Sequence, residues 1–146
     1  MLSQLLSPIS KEDCDFIRCL GLNYLDHAEE GGFPLPKVPV LFAKPRHALA
    51  NPYPAPINIP KCAQDNSSDY EAELCVVIGR TGRDISEAEA LDYVLGYTAS
   101  NDVSARDMQM LTNQWTFSKG LDGSCPIGTL SSDSGNSGGV LGVLNQ

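Results

Sequence analysis

Between residues 71 and 79 the chain alternates, so an extended EAELCVVIG turns Glu71, Glu73, Cys75 and Val77 to one side and Ala72, Leu74, Val76 and Ile78 to the other. This predicts a strand that opens with two carboxylates on one face. VLFAKP at 40–45 reads as a short buried strand stopped by Pro45, and YTASND at 97–102 as another that ends at Asn101 and Asp102. The helical signals are shorter. Ser10 followed by Asp13 predicts an N-cap that opens a short helix over 11–18 or a turn, and Ser86 with Glu89 a capping box for a helix over 87–95 closed by Gly96. Ser104 with Asp107 predicts a capped helical turn that projects Arg106, Gln109 and Met110 along one side. The Gly-Gly pair and three prolines within 31–39 predict an extended loop, and the prolines of 51–60 a connector with INIP as an edge strand.

Composition narrows the class. At 146 residues, 42% hydrophobic and 19% charged, the chain has the size and balance of one globular domain, and no apolar run approaches the about 20 residues of a membrane helix. A net charge of -8 without a Lys/Arg stripe argues against a nucleic-acid partner. MLSQLLSPISKED carries neither a secretory nor an Arg-rich targeting pattern, so the expected address is the cytosol, with a mitochondrial one left open. Five cysteines without a C-x-x-C pair predict free thiols. From 129 onward the chain is rich in Ser and Gly and holds no Lys or Arg, the composition of a flexible tail.

The chemistry lies in the carboxylates. Two residues of strand rise separate Glu71 from Glu73 by about 6.5 Å, and their repulsion grows from about 0.6 kcal/mol in water to ~2.5 kcal/mol where they are partly buried. A cation relieves it. With Asp102 at the end of a later strand they can form an all-oxygen set suited to Mg²⁺ or Mn²⁺ rather than zinc. His27 and Glu30 are three apart, so a single helical turn brings imidazole and carboxylate to one face, as a general base needs. Lys119, Arg106 and Gln109 are candidates for holding an anionic substrate or a developing oxyanion. There is no G-x-S-x-G elbow and no phosphate loop, and HAEE lacks the second histidine of a zinc-protease helix.

Taken in order, GLNYLDHAEE, PVLFAKP, the run from IPKCAQD to SARDMQ, and FSKGLDGSCPIG resemble the fumarylacetoacetate hydrolase (FAH) superfamily, specifically the C-terminal catalytic domain shared by acylpyruvate hydrolases and oxaloacetate decarboxylases or tautomerases. The resemblance implies an α+β, mostly β fold, a mixed β-roll or barrel incomplete at the C-terminus, with a partial catalytic domain over 1–128 and a flexible tail over 129–146. It implies Mg²⁺ or Mn²⁺ on Glu71, Glu73 and Asp102, a water-activating pair of His27 and Glu30 on a lid-like segment, Lys119 as the active-site lysine, and Arg106 and Gln109 lining the substrate pocket. The implied activity is hydrolysis of a carbon–carbon bond in a small 2,4-dioxo acid through a metal-stabilised enolate. Its alternatives are decarboxylation or tautomerisation of oxaloacetate and an inactive truncated fragment. The family is usually homodimeric. This chain departs from the pattern after CPIG, where the Ser/Gly tail replaces further strands, and at Leu121, where phenylalanine is usual.

Overall fold

The computed structural model describes residues 5–32 and 34–129. Eight strands pair two by two: β1 (Phe16–Gly21) with β2 (Val40–Pro45), β3 (Leu49–Ala50) in parallel with β8 (Cys125–Pro126), β4 (Ser68–Asp69) with β7 (Ser104–Ala105), and β5 (Ala72–Ile78) with β6 (Val94–Asn101). Three short helices join them, α1 (Leu25–Glu30), α2 (Arg106–Met110) and α3 (Thr116–Lys119). The result is mixed and mostly strand, as expected, with no closed barrel among the described residues. None of the described helices is long and apolar enough to cross a membrane.

The alternation over 71–79 holds. Glu73, Cys75 and Val77 face Ser100, Thr98 and Gly96 across the β5–β6 ladder, while Glu71 stands just before β5. VLFAKP forms β2, although only Lys44 in it is fully buried, and β6 begins earlier than expected, at Val94. Several local expectations fail for tertiary reasons. Of the helix or turn expected over 11–18 the turn forms, over 11–13, and β1 follows it. The Ser10 hydroxyl accepts from the Asp13 N–H (3.1 Å) and donates to its carboxylate (2.8 Å), which closes a turn, while Phe16 to Gly21 take β2 as partner. The helix over 87–95 is a 3-10 helix, Glu87–Tyr93, with no buried residue. The Ser86 hydroxyl bonds the Glu89 carboxylate (2.6 Å) rather than the backbone, and no apolar face rewards a longer helix. Gly96 is a buried strand residue, not a helix stop. INIP forms no strand. Ser104 lies in β7, so α2 starts after Ala105 and the predicted cap is absent. The tail beyond Thr129 lies outside the described residues.

The apolar core is small: Ala48, Leu49, Cys125 and Ile127, with Cys14, Ile17 and Cys75 packed against it. All five cysteines are free thiols. Beside this core Lys44, Asp102, Ser104, Ser118, Lys119 and Ser124 are buried as well, so a polar cluster shares the interior. On the inner face of β1, Gly21 leaves room for an aromatic ring, since a Cβ there would stand 2.0 Å from Trp115. We expect Gly21→Ala to destabilise the chain by about 1–3 kcal/mol through overpacking. In urea titrations that loss should shrink when Trp115→Ala is added, because the two sites share one contact.

Candidate active site

Strand ends bring the charged residues together. The Asp102 N–H donates to the Glu71 carbonyl (2.8 Å) and the Glu71 N–H to the Asn101 side-chain oxygen (3.1 Å), so the mouth of the β5–β6 ladder sets the two carboxylates side by side. Lys119 enters from the last turn of α3, which Thr116 fastens to β2 through a hydrogen bond to the Ala43 carbonyl (2.7 Å). Its ammonium lies between Glu71 Oε2 (2.8 Å) and Asp102 Oδ2 (3.0 Å) and also donates to Ser104 Oγ (2.6 Å). Arg106, the first residue of α2, reaches Glu71 Oε1 (2.5 Å), Gln109 Oε1 (3.0 Å) and Asp69 Oδ2 (2.8 Å).

Lys44 was not among the residues singled out from sequence. Its side chain is 0% exposed, and its ammonium lies 2.7 Å from Asp102 Oδ1 and donates to the carbonyls of Val103, Lys119 and Ser124 and to Ser124 Oγ. The signal was present: Lys44 shares a strand face with Phe42, and a lysine on an apolar face calls for a buried counter-charge.

Of the expected site residues, Glu71, Asp102, Lys119, Arg106 and Gln109 therefore form one contact network. Glu73 stands beside it without an ion-pair partner. Burial, together with the Glu71 and Asp102 charges and against the pull of a Tyr24 hydrogen bond, pushes its carboxyl up to about 7. Glu71 takes the opposite course, since its hydrogen bonds and charge contacts with Lys119 and Arg106 outweigh burial and hold it below the usual carboxylate range. His27 and Glu30 do share α1, as the three-residue spacing implied, but no hydrogen bond or ion pair joins their side chains. Tyr24, which precedes α1, accepts a hydrogen bond from the Leu74 N–H (3.1 Å) and so anchors the start of that helix beside Glu73.

The donor chemistry suits a hard dication. Glu71, Glu73 and Asp102 offer carboxylate oxygens only, and Glu73 has no cation, although both oxygens of Asp102 already face lysine ammonium groups. The residues do not form a ready-made cage, however. Among the described residues no three acidic, imidazole or thiol groups converge closely enough to hold an ion, because the Lys119 ammonium spans the gap between Glu71 and Asp102.

Comparison with known proteins identifies the class. The family model described as fumarylacetoacetate (FAA) hydrolase C-terminal matches residues 16–138, and the chain belongs to this family. It is 52% identical over 121 residues to a caffeoylpyruvate hydrolase of Neonothopanus nambi, covering 81% of this chain and 42% of that protein. It is 45% identical over 126 residues to the mitochondrial oxaloacetate tautomerase fahd2 of Xenopus laevis, covering 85% and 38% respectively. Among solved structures, a 5-carboxymethyl-2-hydroxymuconate delta-isomerase of Mycobacterium smegmatis superposes with a TM-score of 0.75 at 41% identity, over 92% of this chain and 51% of that one. The chain thus spans between 38% and 51% of the length of these relatives.

Two outcomes follow. Lys44→Met strips the counter-charge from a buried carboxylate and should cost about 3–5 kcal/mol in urea unfolding, the usual result of breaking a buried pair from one side. Glu73 sets a pH dependence. Its folded pKa of about 7 lies above the ordinary 4.5, so the folded chain keeps a proton that the unfolded chain has lost. The stability this contributes is complete below about pH 4.5 and is lost as pH rises through about 7. In chelator, the urea midpoint of the native chain should fall across that window relative to Glu73→Gln.

Proposed function

We propose that this chain is an Mg²⁺- or Mn²⁺-dependent hydrolase of acylpyruvate-type 2,4-dioxo acids. The observation that supports the reading is the buried network in which Glu71 and Asp102 converge on one point, with Glu73 beside it lacking a cation. The relative from Neonothopanus nambi, named for an acylpyruvate substrate, agrees with it. Charge balance supports it too. Lys44, Lys119 and Arg106 bring three positive charges to Asp69, Glu71, Glu73 and Asp102, so the ionised cluster carries one excess negative charge. A dication makes it one excess positive, and a 2-oxo acid anion then neutralises it.

Glu71, Glu73 and Asp102 would hold the ion, in competition with the Lys119 ammonium for Glu71 and Asp102. When bound, it supplies Lewis-acid polarisation of the substrate oxygens. The remaining work falls to the chain. Arg106 and Gln109, already in contact at 3.0 Å, bind and orient the substrate carboxylate. His27 takes the proton of the attacking water, and Lys119 steadies the oxyanion.

The purified chain should cleave acetylpyruvate only with Mg²⁺ or Mn²⁺, lose activity in EDTA and regain it on adding metal back. Glu73→Ala should abolish turnover and Mn²⁺ binding read by EPR. His27→Ala should lower kcat by about 10²–10⁴, the range of a general base. Metal-independent cleavage, or full activity in Glu73→Ala, sinks the reading. Tautomerisation of oxaloacetate is the second reading, favoured by the Xenopus laevis relative. It needs no attacking water, so keto–enol exchange that survives His27→Ala while hydrolysis is absent selects it.

A further inference from the structure

Helix α1 carries the proposed base and has little of its own to hold it. It is six residues long, too short to be stable alone, and only Ala28 in it is buried. Tyr24, the residue before it, supplies a tie at both ends of its own structure. The Tyr24 carbonyl accepts from the Ala28 N–H (3.1 Å) and so closes the first turn of the helix. The Tyr24 hydroxyl accepts from the Leu74 N–H (3.1 Å), a donor of β5 that thereby finds its partner outside the β5–β6 ladder. With an oxygen lone pair so engaged, the hydroxyl keeps its proton for the Glu73 carboxylate against which it lies. Leu22 turns the chain from β1 towards this place with a φ of 53°, a conformation that L side chains rarely adopt.

We propose that Tyr24 is a positioning residue for the reaction: its hydroxyl holds α1 in register with Glu73, so that one side chain sets His27 relative to the carboxylates of the site. The proposal rests on the hydrolase reading above and adds a residue to it. Two features carry it. Glu71 and Asp102 are fixed by Lys119, and Glu71 by Arg106 as well, whereas Glu73 has no ion pair and the Tyr24 hydroxyl is its donor. A tyrosine that served packing alone would have no need to place its hydroxyl there. His27 follows Tyr24 by three residues in the same helical turn, so a shift at the hydroxyl is passed to the imidazole along a short stretch of backbone. An ion that fixes Glu73 also fixes the acceptor of Tyr24, so its binding is felt at α1, and order in α1 is felt at Glu73 in return.

Tyr24→Phe keeps the ring and removes only the hydroxyl. Solvent exchange of the Ala28 and Gly31 amides, both bonded within α1, reads the helix directly by NMR. In EDTA, Tyr24→Phe should speed exchange at these two amides by at least fivefold and leave the β5–β6 ladder within twofold of native, which separates release of α1 from loss of the fold. Glu73→Gln, which keeps an acceptor for the hydroxyl, should leave both amides within twofold, and Glu73→Leu should speed them at least threefold. Saturating Mg²⁺ should slow them at least fivefold in the native chain and less than twofold in Tyr24→Phe. In turnover of acetylpyruvate at saturating Mg²⁺, Tyr24→Phe should lower kcat by tenfold or more with KM changed less than threefold, because Arg106 and Gln109 hold the substrate carboxylate. In a His27→Ala background the same substitution should lower kcat less than twofold, since its effect passes through the base. A tyrosine of purely structural value lowers kcat alike in both backgrounds. That result, or α1 exchange unchanged in Tyr24→Phe, overturns the proposal. Hydroxyl-dependent protection of α1 without cleavage of acetylpyruvate supports the tie to Glu73 and removes the hydrolase reading. Metal-dependent cleavage with α1 indifferent to Tyr24→Phe does the reverse.

Discussion

Two lysine ammonium groups lie in the interior of this small chain, and the arrangement around them follows from the need to neutralise both. Taking even one unpaired charge out of water costs several kcal/mol, comparable with the whole stability of an ordinary domain, about 5–15 kcal/mol. Lys44 and Lys119 are both almost fully buried, and Asp102 serves both, one carboxylate oxygen to each. That single residue therefore ties β2, the end of β6 and α3 to one point. Lys44 strengthens the tie by donating to the carbonyls of Val103, Lys119 and Ser124, whose segments have no strand ladder of their own there. With an apolar core of a few small side chains, the charged network specifies the interior as much as hydrophobic burial does.

The same network serves both as a structural device and as the proposed site. Lys119 is held by two carboxylates and a serine, yet it lies at the end of a four-residue helix that Gly120 terminates, where a Cβ would press on the Thr116 carbonyl at 2.5 Å. Glu71 is shared between Lys119 and Arg106, so an incoming cation or anion exchanges one partner for another instead of exposing a bare charge. Such exchange is far less costly than charging an apolar pocket, which is why a site of this kind can sit beside the core.

Legibility from sequence followed the range of the interactions. The β5 strand was readable because its period of two is local and its partner only had to cover one face. The 87–95 segment misled because Ser86 and Glu89 satisfy each other side chain to side chain and no apolar face extends the helix, while Phe16 to Gly21 take a strand partner far along the chain. Lys44 escaped notice for the same reason, since its partners lie 59 to 80 residues away. The carboxylates were identified by type and order, but the ammonium between them was not foreseen as a structural bridge, because spacing along a strand says nothing of what another helix inserts.

The β1–β2 ladder joins these strands of argument. Its inner face carries a buried cation, an aromatic ring and a bare glycine in successive positions, and each meets a different part of the 102–124 segment: Lys44 meets Asp102 and Ser124, Phe42 meets Lys119 and Trp115, Gly21 meets Trp115. A two-stranded ladder alone is marginal in water. Here it persists because one of its faces is committed residue by residue to a single neighbour.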